Sequence, residues 1–283
     1  MARIRLLHLI GRSAGGPVLG IAHTAEEDVY RDKNSVRCRP ISLARVLLIG
    51  ITVAFGVLHS GTNEGHAEAS TFTNKELTDG FMRTVFGLEY RSWSWQPYLV
   101  KKYTAPVRFF VHNLAERDRR SMVHRFVLDL PRKVEGLQTT VAQSAETANF
   151  LIYVVDRRQY EEIVKTMIYD DAEAHAPGHC LVRVLSDKRG IRGSAAVIVS
   201  DEGEFLFRRC LVEEVLQGLG PMNDDDTLEH SVFNDTSHHT RFTAFDRYIL
   251  NMLYNQRITP GMNSDAALTV LPIVIRDTRQ KLN

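Results

Sequence analysis

The chain has 283 residues, 44% apolar and 24% charged, with 35 basic and 34 acidic side chains. This near-balance excludes nucleic-acid binding driven by charge. The lack of an internal repeat or low-complexity tract excludes a solenoid or a disordered tail as the main architecture. The length allows one ordinary domain plus a leader.

The first segment reads as that leader. Val46 to Leu58 is an uncharged apolar run, preceded by Arg37, Arg39 and Arg45 and followed by a polar stretch ending Ala67-Glu68-Ala69. A positive region, about a dozen apolar residues and an A-x-A site predict a signal peptide cleaved after Ala69. The protein is then exported, to the periplasm or beyond, and residues 70–283 form a single domain. The alternative is an uncleaved inner-membrane anchor over residues 43–58; the run is short of the roughly 20 residues of a full span. The first 35 residues fit neither reading, and a start near Val36 would remove them. Setting aside the 8 basic and 6 acidic residues ahead of Ser70 leaves 27 basic and 28 acidic ones.

Thr73 to Gly87 predicts a helix with Leu77, Phe81 and Val85 on its apolar side. Trp93, Trp95 and Tyr98 follow, as groove lining or as rim packing. Val107 to His112 alternates as a strand does, and Ala115 to Pro131 is a second helical stretch. Phe150 to Val155 is apolar throughout, as expected of a central strand. Gln159 to Tyr169 reads as a short helix, Leu181 to Leu185 and Ala195 to Val199 as strands. This order of elements predicts a mixed α/β (α+β) domain, a sheet covered by helices.

Next comes the stretch from Cys210 to Asn223. Read as a helix, it has Leu211, Val212, Val215, Leu216 and Leu219 on one side and Glu213, Glu214 and Gln217 on the other. Gly220 and Pro221 end it. Cys180 and Cys210 are the cysteines of the exported part. In an oxidising compartment the pair reads as a disulfide closing about 30 residues, worth roughly 3–4 kcal/mol in the chain-entropy model. Without export they read as two buried thiols.

Further on, Ser231-Val232-Phe233 precedes a helix over Phe242 to Tyr254, where Thr243 and Asp246 have capping-box spacing. Leu268 to Ile275, after Thr259-Pro260-Gly261-Met262, reads as a β-rich tail.

The Cys210–Asn223 layout resembles the zinc helix of metzincin metallopeptidases, H-E-x-x-H-x-x-G-x-x-H. On that resemblance Glu213, Gln217 and Asn223 stand at the three metal-ligand positions, Glu214 at the general base and Gly220 at the turn glycine. Phe233 takes the place of the methionine beneath the metal. All three histidines are missing, and a carboxylate with two amides is a weak zinc set better suited to calcium or magnesium. The resemblance implies a zincin-like single domain with a twisted mixed sheet. The run of Glu213-Glu214, Gln217 and Gly220, then Ser231 to Asp235, then Asp246, Leu250, Leu253-Tyr254 and Pro260-Gly261-Met262, is similar to an uncharacterised family of secreted bacterial proteins, domain of unknown function 2927.

Two functions follow. One is an exported pseudopeptidase that binds a peptide or an envelope protein, with no cofactor and no nucleic acid. The other is a divergent metal-dependent hydrolase with Glu214 activating water on zinc or calcium. Glu213, Glu214 and Gln217 also read as a solvated helix face, and Asp224-Asp225-Asp226 as an acidic turn. His230, His238 and His239 are the nearest imidazoles.

Overall fold

The computed structural model describes residues 72–87 and 98–282. The leader, its apolar run at 46–58, Ala69, Trp93 and Trp95 lie outside the described residues.

Helix α1 (Asn74–Val85) starts where Thr73 and Glu76 form a reciprocal capping box. The strands are β1 (Val107–Asn113), β2 (Thr139–Val141), β3 (Phe150–Val155), β4 (Cys180–Asp187) and β5 (Gly190–Val199). They form one sheet in the order β2-β1-β3-β5-β4. β1, β2, β3 and β5 run parallel and β4 is antiparallel to β5, which makes β4 an edge strand. The helices are α2 (Arg120–Lys133), α3 (Arg157–Ile163, continued by a wider turn over Val164–Tyr169), α4 (Glu204–Gln217), α5 (Ala244–Tyr254) and α6 (Ser264–Leu282). The architecture is therefore mixed α/β, as the order of elements predicted.

Because both faces of the sheet are covered, β3 is buried at all six positions. Phe150, Ile152 and Val154 join the large core under α4, with Phe109 of β1 and Ile198 of β5. Leu151, Tyr153 and Val155 face the smaller core with Tyr160 and Val164.

β5 starts five residues ahead of the expected Ala195, and three further differences from expectation have a physical reason. α2 starts five residues later than predicted, and Arg119, ahead of its first turn, is buried across the Phe207 ring at 4.1 Å with Glu204 at 2.6 Å. The short strand β2 was not predicted; three residues give too little pattern. The β-rich tail is a helix: Leu268 to Ile275 lies inside α6. Its β-branched residues and Pro272 argue against a helix locally. Packing overrides them, because Ala267, Leu271, Val274, Ile275 and Thr278 fall on one buried stripe toward α1 and α5. Asn263 caps the start, its Oδ1 accepting from the Ala266 amide at 2.9 Å.

Candidate functional site

α4 begins at Glu204, after Gly203 (φ +104) and six residues ahead of the stretch read as a helix, and ends at Gln217. Its last carbonyls would be orphans inside the core. Ser194 Oγ donates to the Gly218 carbonyl at 2.7 Å, and the Tyr254 hydroxyl to that of Leu219 at 3.0 Å. Gly220 then reverses the chain at φ +140; a Cβ there would lie 2.3 Å from the Lys101 carbonyl oxygen and 2.8 Å from Leu253. Only glycine fits this close approach.

Glu213, Glu214 and Gln217 are 6%, 5% and 2% exposed. They are not a solvated face: α4 is buried on every side from Arg209 to Gln217. Burying charge is costly unless it is partnered. Arg209, one turn before Glu213, supplies the partner: its Nη2 lies 3.1 Å from Glu213 Oε1, 3.1 Å from the Asn234 carbonyl and 3.4 Å from Asp235 Oδ1. Its Nη1 donates to the Ser237 carbonyl and hydroxyl. Gln217 Nε2 donates to both carboxylate oxygens of Asp224, at 2.9 and 3.0 Å.

Asn223 turns the other way. Its Nδ2 donates to the Arg83 carbonyl at 2.8 Å, and its backbone amide to that of Thr84. The reversal thus brings Asp224 to Gln217, and Asn223 is built into the end of α1. Among the described residues two groups have ligand-type atoms within 4.8 Å of one another: Glu213, Asp224 and Asp235, and Cys180, Glu213 and Glu214. Cys180 and Cys210 form a disulfide that ties the start of β4 to α4.

Phe233 is fully buried, in the turn that Asp246 holds. Asp246 accepts from Ser231 Oγ at 2.6 Å, the Val232 amide at 3.1 Å and Thr243 Oγ1 at 2.7 Å. Burial pushes its carboxyl above the usual range, against the opposing pull of those bonds. Nearby, Lys102 Nζ caps the end of α5, 3.0 Å from the Leu253 and Asn255 carbonyls. Burial lowers its pKa to about 8. His230, His238 and His239 line a separate hollow of about 440 Å³ at the start of α5, with His239 Nε2 2.9 Å from the Glu229 carbonyl.

Residues 74–273 match the family model described as "Protein of unknown function (DUF2927)". The chain belongs to the DUF2927 family. The matched segment runs from the first residue of α1 into α6, so it takes in the whole sheet, the buried corner and the disulfide. No curated protein and no solved structure matches the chain. Among the described residues of this DUF2927 member no helix is long and apolar enough to cross a membrane.

Sequence reasoning passed over Arg209 and Asp235 and treated Asp224 only as part of an acidic turn. The signal for Arg209 was present, since Arg209 and Glu213 stand four apart on one helix. Asp224 and Asp235 reach the corner through loop geometry, which has no period to read.

Proposed function

We propose that this is an exported, non-catalytic protein that binds an extended peptide, or such a segment of an envelope protein, at the corner formed by α4 and β4. The observation that carries the reading is the commitment of Glu213 and Gln217 to partners within the chain. Arg209 supplies the positive charge beside Glu213, and the Gln217 amide faces Asp224 with its N–H groups. This donor set fits zinc poorly: a guanidinium occupies the electrostatic role of the ion, and an amide turned this way offers hydrogens rather than a lone pair. Glu214 then acts as a buried structural carboxylate rather than a base. Among the described residues β4 pairs with β5 alone, and an edge strand offers a row of backbone groups for strand addition. The disulfide, with the apolar run ahead of Ala69, supports export with removal of residues 1–69.

The test is metal analysis of chain purified without chelators or a histidine tag, together with binding of a library of extended peptides. The expected result is far less than one zinc per chain, and peptide binding that survives Glu214→Gln. N-terminal sequencing of the exported product should begin at Ser70. A second reading, a divergent hydrolase, is favoured by the oxygen set of Glu213, Asp224 and Asp235, which suits a hard cation such as calcium. Stoichiometric metal with hydrolysis abolished by Glu214→Gln would establish that reading instead.

A further inference from the structure

The disulfide and the two glutamates of α4 share one place in the molecule. Cys210 precedes Glu213 and Glu214 by three and four residues, which puts all three on neighbouring positions of one helix surface. Cys180 reaches the same spot from the start of β4, bonded to Cys210. Its sulfur and the carboxylate oxygens of Glu213 and Glu214 lie within 4.8 Å of one another. Cys210 and both glutamates are buried and Cys180 is half-buried, so the group is shielded from solvent on most sides.

A disulfide sulfur is a poor ligand, whereas a thiolate is among the best that zinc has. We propose that reducing the Cys180–Cys210 bond creates a zinc site whose four ligands are the two thiolates and the carboxylates of Glu213 and Glu214. A dithiol reductant donates two electrons and two protons; the S–S bond breaks, each sulfur becomes a thiol, and the reductant leaves as its own disulfide. Zinc then displaces both thiol protons into solvent. Zinc–sulfur bonds of about 2.3 Å and zinc–oxygen bonds of about 2.1 Å set tetrahedral donors roughly 3.4–3.8 Å apart. Cys180 Sγ and the two carboxylates, within 4.8 Å of one another, draw in by about 1 Å, and the two sulfurs part from bonding distance to about 3.8 Å; side-chain rotation on α4 and the freed start of β4 supply both movements. Arg209, beside Glu213, offsets part of the net negative charge of two thiolates and two carboxylates around one dication. The oxidised protein holds no such site, so the metal reports the redox state of the bond. This inference is independent of peptide binding at the corner, and its failure leaves that reading intact.

The experiment uses the full chain carrying Cys38→Ser, so that only Cys180 and Cys210 remain. One sample stays oxidised; the other is reduced with dithiothreitol, which is removed by gel filtration under argon. Both are titrated with zinc and, separately, with cobalt(II). Expected are about one zinc per reduced chain at micromolar affinity or tighter, a thiolate-to-cobalt charge-transfer band, and at least about 100-fold weaker binding by the oxidised chain. Glu213→Gln with Glu214→Gln should weaken zinc binding of the reduced chain by about tenfold or more. A reduced chain without the cobalt band overturns the proposal, as does a double-Gln variant that binds zinc as tightly as its parent. If reduction unfolds the chain, recovery of the far-ultraviolet dichroism on adding zinc to the parent but not to the double-Gln variant supports it. Equal recovery in both, or none, overturns it.

Discussion

α4 and α6 are both long helices of one domain, and they meet opposite conditions. α4 is enclosed: from Arg209 to Gln217 every residue is buried, charged ones included. α6 lies against α1 and α5 by one stripe, with Leu268 and Arg276 on its outer side exposed. In the enclosed helix Arg209, Glu213 and Gln217 have fixed partners, and even the carbonyls just past its end are met by Ser194 and Tyr254. In the peripheral helix a proline sits mid-helix without ending it. Enclosure fixes geometry at a cost in desolvation, so a chemical site is built where the chain tolerates least.

The comparison predicts its own largest effect at Gly220. Gly220→Ala places a Cβ against the Lys101 carbonyl and Leu253 at a backbone angle that side chains rarely adopt. Strain and displaced packing together should cost about 4 kcal/mol, read as a drop in the urea midpoint. A loss under about 1 kcal/mol would mean that the reversal after α4 is soft.

Next in size is the tie between α4 and β4. Cys180→Ser with Cys210→Ser, in metal-free buffer, should lower stability by roughly 3–4 kcal/mol through loss of the 30-residue closure. Chemical denaturation of both proteins measures it. An unchanged midpoint would show that the corner is held by packing alone.

How much of this was readable beforehand differs between the two helices. The mixed α/β class followed from the order of elements, and the central strand at Phe150–Val155 from a run of apolar β-formers with one interpretation. The Cys180–Cys210 pairing followed from there being two cysteines after the predicted leader, on the expectation of an oxidising compartment. α4's register was readable, but its burial was not. Glu213, Glu214 and Gln217 look the same in sequence whether they face water or a loop, and the loop at 221–237 has no period. α6 misled for the opposite reason: Leu268 to Ile275 is β-branched and holds a proline, while its burial stripe extends beyond that window to Ala267 and Thr278.

A third test concerns the buried carboxyl of Asp246. Burial raises the Asp246 pKa above its ordinary value, so the folded chain keeps that proton to higher pH than the unfolded chain does. The stability associated with it is complete below the unfolded value and is lost as pH rises through the folded one. Asp246→Asn removes this titration. Melting temperatures of the two proteins should therefore converge from acid toward neutral pH, or cross. A constant difference would mean that Asp246 ionises alike in both states.

The smallest effect belongs to α6 and has the opposite sign. Pro272 is exposed, so Pro272→Ala gives up little packing. Alanine restores an amide that can donate toward Leu268 and removes the clash of the ring with that carbonyl, a defect worth up to about 3 kcal/mol in a helix interior. Against this, the unfolded chain regains freedom worth roughly 0.4–1 kcal/mol. The native helix already accommodates its proline, so part of the defect is relaxed. The net expectation is a gain of about 1 kcal/mol, visible as a higher urea midpoint at unchanged slope. A loss would mean that Pro272 itself sets how α6 lies against α1 and α5, and the peripheral helix would then be as exacting as the enclosed one.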